Sequence, residues 1–136
     1  LSTAIDKYMH IMVNRRFDAS VRVSYSRTEI VDDARRVEHP IVREALLLLG
    51  MHHGLEIISM ADVPAQTGLG SSGAFTVGLL HALHVFRGER PSARQLQLTG
   101  TLHSRPVQIA LDQVDLDQFT LRNRGFHWVQ EYPFFK

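Results

Sequence analysis

The chain has 136 residues, of which 44% are hydrophobic and 21% are charged, and its formal net charge is +1. This length fits one domain with a substantial core, and the balanced charge excludes the broad basic surface of a general nucleic-acid binder. The absence of cysteine excludes a disulfide framework and a cysteine-ligated metal site. It also fits a reducing compartment, so we expect a cytoplasmic protein. No apolar run is long enough to predict a membrane span.

Alternation of apolar and polar residues predicts two strands near the N-terminus. The first covers residues 1–14 and the second begins at Val21. Because only a short polar turn separates them, we expect them to pair as an antiparallel hairpin. The charged stretch from Glu29 to Glu38 is expected to be a solvated loop, with a binding role as the alternative.

Two helices follow in the predicted order. Pro40 is well placed for the first turn of a helix, and the wide apolar stripe after it predicts a helix that stops by Gly54. Residues 55–60 are a third strand candidate. Residues 71–86 are apolar almost all round, which predicts the buried central helix of the domain.

Beyond the central helix the pattern predicts shorter elements. Ser92 can cap a short helix over residues 93–98. A turn at residues 123–125 precedes an aromatic segment, which we expect to form a C-terminal strand.

A glycine-rich run between the third strand and the central helix carries the most specific functional signal. Gly68 and Gly70 allow a tight turn and a close backbone approach to a ligand. Ser71 and Ser72 follow where the helix should begin and supply caps and hydroxyls. The first turn of a helix has free N–H groups and a partial positive charge, so the run predicts an anion site, with phosphate as the expected ligand. The alternative is a serine-capped helix after a glycine turn that binds nothing.

The same run resembles the ATP-phosphate loop of the GHMP kinase superfamily, which includes galactokinase, homoserine kinase and mevalonate kinase. That loop has the pattern Pro-x-x-x-Gly-Leu-Gly-Ser-Ser-Ala/Gly-Ala, and it is matched here by Pro64, Gly68, Leu69, Gly70, Ser71, Ser72, Gly73 and Ala74. It differs from the Walker-type loop, which needs Gly-Lys-Ser/Thr. By this resemblance the run binds the phosphates of ATP, and Ser72 helps to hold Mg²⁺.

Within the superfamily the sequence looks most similar to bacterial kinases that act on D-glycero-D-manno-heptose phosphate, over about residues 1–96. This resemblance implies transfer of the γ-phosphate of Mg-ATP to a hydroxyl of a sugar or sugar phosphate. It also implies an α+β fold, with a mixed, mostly antiparallel sheet and helices on one face, as in the second domain of ribosomal protein S5. Neither nucleic acid nor a membrane is expected as a partner.

Residues 97–136 depart from the family pattern. Asp117-Gln118-Phe119 lies at about the distance where the family has Gly-Lys-Gln-Asp-Gln-Tyr. The resemblance therefore makes Asp117 the candidate catalytic base, which would take the proton of the sugar hydroxyl. The alternative is a solvated aspartate in a polar turn.

The resemblance also predicts an incomplete kinase. Family members have a substrate loop before the first strand and a C-terminal domain, and neither is recognised in this sequence. We expect residues 1–136 to form a single domain like the N-terminal domain of the family, with weak nucleotide binding and slow turnover. The alternative is an inactive fragment that self-associates through an exposed apolar surface.

Overall fold

The computed structural model describes residues 4–62, 71–92, 95–96 and 130–135. In these ranges the elements are, in chain order, strands β1 (Ala4–Arg15), β2 (Val21–Ser24) and β3 (Thr28–Val31), a 3-10 turn (Ala34–Arg36), helix α1 (Pro40–Leu48), strand β4 (Leu55–Ala61), helix α2 (Ser71–Phe86) and strand β5 (Gln130–Phe135). No helix in the described part of the chain combines the length and apolar character needed to cross a membrane.

The described strands form one sheet in the order β3-β2-β4-β1-β5. The pairings β1–β4, β1–β5 and β2–β3 are antiparallel, and the pairing of β2 with β4 is parallel. Both helices pack on the face that carries the buried strand residues. The predicted α+β fold, with a mixed and mostly antiparallel sheet and helices on one face, is confirmed.

The predicted β1–β2 hairpin is wrong, because β4 lies between these two strands. The polar turn between β1 and β2 forms backbone hydrogen bonds with Gly54, which directly precedes β4. The Arg16 N–H donates to the Gly54 carbonyl at 2.9 Å, and the Gly54 N–H donates to the Ala19 carbonyl at 3.0 Å. Gly54 has a φ of +71°, a conformation that glycine adopts without strain.

The core lies between the sheet and the helices. Alternate residues of the three central strands point to this face, as the strand period of two requires. Their fully or almost fully buried members are Met9, Ile11, Val21, Val23, Leu55 and Ile57. Helix α1 adds Val42, Ala45 and Leu46 to the same cluster.

Helix α2 is the central helix, as its apolar sequence predicts. Ten of its residues are buried, and it contacts β1, β5 and α1. A helix that is covered on most sides cannot show a narrow apolar stripe, which explains why its sequence is apolar almost all round.

Helix α1 begins at Pro40 as predicted, but it ends at Leu48 rather than near Gly54. Gly50 follows the helix with a φ of +66°, which terminates helical geometry. The short helix predicted after α2 starts with a capping box at Ser92. Ser92 Oγ accepts from the Gln95 backbone N–H at 3.2 Å, and Gln95 Oε1 accepts from the Ser92 backbone N–H at 2.7 Å.

The charged stretch from Glu29 to Glu38 is not a solvated loop throughout. Its first part pairs with β2 as strand β3. Its middle part is the 3-10 turn, which Asp33 caps by accepting the Arg35 N–H at 2.8 Å. Sequence alternation missed β3 because the strand is short and its buried position is occupied by a glutamate.

We expect Leu79→Ala to lower the free energy of unfolding by about 2–5 kcal/mol, because it leaves a cavity in the centre of the core. Leu79 is completely buried. Urea denaturation measures the change, and Ile30→Ala is the control because Ile30 is 63% exposed. Similar losses in the two variants would contradict the proposed position of α2.

Candidate functional site

A cleft of about 490 Å³ opens beside the N-terminal ends of both helices. It is bounded by the middle of β1, by the end of β4, by the turn after β2 and by the first turns of α1 and α2. Three kinds of side chain line it. The rings, called the ring wall below, are Tyr25, His39 and Phe75, the hydroxyls are those of Ser26, Ser59, Ser71 and Ser72, and the apolar side chains are Met9, Ile41, Met60 and Ala61. Such a mixture of apolar surface and a few polar groups is typical of small-molecule sites.

The N-terminus of α2 faces this cleft. Ser71 is half-buried, Ser72 is exposed, and both line the opening. The first turn of α2 contains no acidic residue, so its free N–H groups and partial positive charge are not neutralised from within the helix. Thr76 donates its hydroxyl to the Ser72 carbonyl at 2.8 Å, which fixes this first turn. The arrangement suits an anion such as phosphate.

Four of the predicted phosphate-loop residues lie in the described part of the chain. Ser71 and Ser72 are at the cleft, and Gly73 and Ala74 are buried in the first turn of α2. The other four, Pro64, Gly68, Leu69 and Gly70, lie outside the described residues.

The predicted catalytic base, Asp117, also lies outside the described residues. Its role, and the magnesium role of Ser72, stay predictions.

The chain enters the glycine-rich run from a fixed point. Asp62 Oδ2 accepts the Tyr8 N–H at 2.9 Å, and the Asp62 N–H donates to the Tyr8 carbonyl at 3.0 Å. His10 Nε2 lies 4.0 Å from Asp62 Oδ1. The end of β4 is therefore attached to β1 directly before residues 63–70.

The ring wall of the cleft is built from three different elements. The rings of Tyr25 and His39 meet edge to face, with centroids 4.8 Å apart and planes at 85°. The His39 and Phe75 rings follow at 5.1 Å and 51°. These distances lie in the range of attractive ring contacts, so the turn after β2, the start of α1 and the start of α2 are held together here.

His39 is the N-cap residue of α1, and its Nδ1 accepts the Val42 N–H at 3.5 Å. Burial lowers the pKa of His39, and the nearby charge of Glu29 only partly opposes this effect. The imidazole is therefore neutral at neutral pH.

Glu29 lies behind the ring wall, with only 8% of its side chain exposed. Its Oε1 accepts hydrogen bonds from the Tyr25 hydroxyl at 2.5 Å and from the backbone N–H of His39 at 3.3 Å. Its Oε2 accepts a hydrogen bond from the backbone N–H of Glu38 at 2.6 Å. Burial alone would raise the pKa of Glu29, but these hydrogen bonds together with Arg27 hold it below its ordinary value. Glu29 is therefore an ionised carboxylate that connects β3 to the start of α1.

Arg27 completes this network on the solvent side. Its Nε donates to the Tyr25 hydroxyl, and its Nη2 donates to Glu38. Burial, followed by the hydrogen bond to Glu29, raises the pKa of Tyr25. The phenol therefore keeps the proton that it donates to Glu29.

Sequence reasoning missed the ring wall and Glu29. The rings of Tyr25, His39 and Phe75 come from separate elements, and no local pattern relates them. Glu29 did carry a signal, because a glutamate stands where the register of β3 requires an inward-facing residue. That register is known only once the pairing with β2 is known.

Comparison with known proteins identifies the family. Residues 37–108, just over half of the chain, match the family described as the GHMP kinases N terminal domain. The chain belongs to the GHMP kinase family. The matched region includes His39, Phe75 and the whole GHMP-type glycine-rich run, so the family assignment covers most of the cleft.

A curated GHMP relative, the homoserine kinase of Staphylococcus haemolyticus (strain JCSC1435), is 25% identical over 115 residues. The alignment covers 81% of this chain and 38% of the relative, so the chain spans well under half of the relative's length. No solved structure is significantly similar to the chain.

We expect Glu29→Gln to lower the free energy of unfolding by about 1–3 kcal/mol at neutral pH, because it leaves buried donors without an acceptor. The pKa of Glu29 is lower in the folded protein than its ordinary 4.5. The carboxylate therefore stabilises the fold fully above that value, and this contribution is lost as the pH falls through the lowered pKa.

Urea denaturation of wild type and variant between about pH 7 and pH 3 tests this pH dependence. The two stabilities should converge at the acidic end. Glu56→Gln is the control: it removes the carboxylate that pairs with Arg22 at 3.0 Å in a partly exposed position, which should cost at most about 1 kcal/mol. A gap between wild type and Glu29→Gln that stays constant with pH would contradict the expectation.

Proposed function

We propose that this chain is the nucleotide-binding part of an ATP-dependent phosphotransferase that phosphorylates a hydroxyl of a small molecule. The observation that carries the proposal is the open cleft at the start of α2, a helix that begins at the two serines of the Gly-Leu-Gly-Ser-Ser run. Membership of the GHMP kinase family supports the same reaction class.

The phosphates of ATP are assigned to the start of α2. Backbone N–H groups of the run from Gly68 to Ala74 would donate to phosphate oxygens, and the positive end of the helix would favour their charge. We assign Ser72 as a residue that would hold Mg²⁺, and the ion would supply positive charge against the phosphates during transfer.

The nucleoside is assigned to the remainder of the cleft. Rings of Tyr25, His39 and Phe75 offer a planar ligand an aromatic wall. Met9 and Ile41 add apolar lining to the same cleft. The volume of about 490 Å³ is within the usual range for small-molecule sites.

The acceptor is proposed to be a sugar or sugar phosphate, with heptose phosphate as the leading candidate because of the sequence resemblance over residues 1–96. Homoserine is the second candidate, because the curated relative is named homoserine kinase. Both molecules present a hydroxyl, so each requires a base near that group. We assign this role to Asp117.

The competing function is a folded domain without catalysis that associates with itself. Within the described residues the large exposed apolar side chains are Phe17, Ile30 and Met60. They lie on the β1–β2 turn, on β3 and on β4. A concentration-dependent dimer in analytical ultracentrifugation, together with no phosphoryl transfer, would favour this function.

The phosphate assignment predicts that Gly70→Val weakens Mg-ATP binding at least about tenfold, because a branched side chain blocks both the turn and the close approach of the backbone to phosphate. Isothermal titration calorimetry measures the affinity. Ala19→Val in the exposed β1–β2 turn is the matched control and should bind like wild type. Absence of saturable Mg-ATP binding in wild type would contradict the proposed function.

The acceptor assignment predicts ADP release that depends on the added hydroxyl compound. Heptose phosphate should support it better than homoserine, and Asp117→Asn should lower the rate about 100-fold or more while leaving the affinity for Mg-ATP unchanged. A coupled ADP assay with each acceptor gives both results. Full activity in Asp117→Asn would remove Asp117 from the mechanism, and a faster rate with homoserine would reverse the order of the two acceptors.

A further inference from the structure

We infer that Glu29 is a positioning residue for the nucleoside end of the cleft, where it holds Tyr25 and His39 in the wall that receives the base. This inference rests on the proposed function above. Glu29 does not line the cleft, but both residues that it holds do.

The burial pattern of β3 is inverted. Glu29 is opposite Val23 in the β2–β3 ladder and therefore faces the core, whereas its neighbour Ile30 is 63% exposed. Packing alone would favour the reverse order, with isoleucine inside and glutamate outside. Departures of this kind from local rules are expected at functional sites.

The hydrogen-bond network around Glu29 requires an ionised carboxylate. Both oxygens of Glu29 accept hydrogen bonds: Oε1 from Tyr25 and His39, and Oε2 from the Glu38 N–H. A glutamine amide has one acceptor and one donor end. In either orientation its NH₂ group would face a hydrogen-bond donor, so glutamine cannot replace glutamate here.

Glu29 connects the two residues of the ring wall that come from different elements, Tyr25 and His39. Glu29 binds the Tyr25 hydroxyl on one side and the backbone of His39 on the other, and the two rings touch each other at 4.8 Å. Without the carboxylate, the turn after β2 loses the link that runs from Tyr25 through Glu29 to the backbone before α1, and it keeps the Arg27–Glu38 hydrogen bond. The turn keeps its own hydrogen bonds, such as that from the Tyr25 N–H to the Arg27 carbonyl at 2.8 Å, so the displacement should be confined to the ring wall.

The phosphate end of the cleft is held differently. Ser71 and Ser72 are part of α2, whose first turn is fixed by Thr76, and Glu29 has no hydrogen bond to these residues in the described structure. A change at Glu29 should therefore separate binding of the base from binding of the phosphates.

The test is calorimetric titration of wild type and Glu29→Gln with adenosine, Mg-ATP and Mg-tripolyphosphate, well below the unfolding temperature of the variant. We expect Glu29→Gln to weaken adenosine and Mg-ATP about tenfold or more, with the tripolyphosphate affinity unchanged. Glu56→Gln makes the same chemical change on the other face of the sheet and should bind all three ligands like wild type.

Tyr25→Phe is the second variant and keeps the inference testable if Glu29→Gln does not fold. It retains the ring but removes one donor to Glu29, so it should weaken adenosine binding and leave tripolyphosphate binding unchanged. Unchanged adenosine affinity in the variants, or equal weakening of all three ligands, would overturn the role of Glu29. A wild-type chain that binds none of the three ligands would instead refute the proposed function, and the inference with it.

Discussion

The burial of α2 is the constraint on which the rest of the structure depends. A helix that is apolar almost all round needs cover on nearly every side, and here the sheet and α1 provide it. Its N-terminus cannot be covered in the same way, because the free N–H groups of a first turn need polar partners. The cleft is thus the place where the packing of the central helix has to stop, and Ser71 and Ser72 are the residues at that boundary.

Elements with a strong local signal were predictable from the sequence. The long alternation of β1, the proline at the start of α1, the apolar character of α2 and the serine cap at Ser92 all depend on residues close together in the chain. Strand pairing depends on distant residues, and the expected β1–β2 hairpin failed for that reason. Apolar alternation indicates which face of a strand is buried, but it does not determine which strand pairs with it.

The two ends of the candidate site also differ in whether their residues are close together in the sequence. Its phosphate end is a contiguous run, so its residues could be identified from sequence, and Ser71 and Ser72 do lie at the cleft. The ring wall combines Tyr25, His39 and Phe75 from three elements, and only the assembled fold brings them together. Glu29 was assigned to a loop because a buried glutamate contradicts the periodicity by which strands are recognised.

The position of β4 between β1 and β2 also bears on how the chain acquires its fold during synthesis. Strands β1 and β2 do not pair with each other. Strand β2 can pair early with β3, but its connection to β1 needs residues 55–61, which β1 meets antiparallel and β2 meets parallel. Contacts between residues so far apart in sequence slow folding and leave strand edges open in the meantime. We therefore expect β1 and the β2–β3 hairpin to be most vulnerable to aggregation until β4 has left the ribosome, because β4 is the strand that joins them into one sheet.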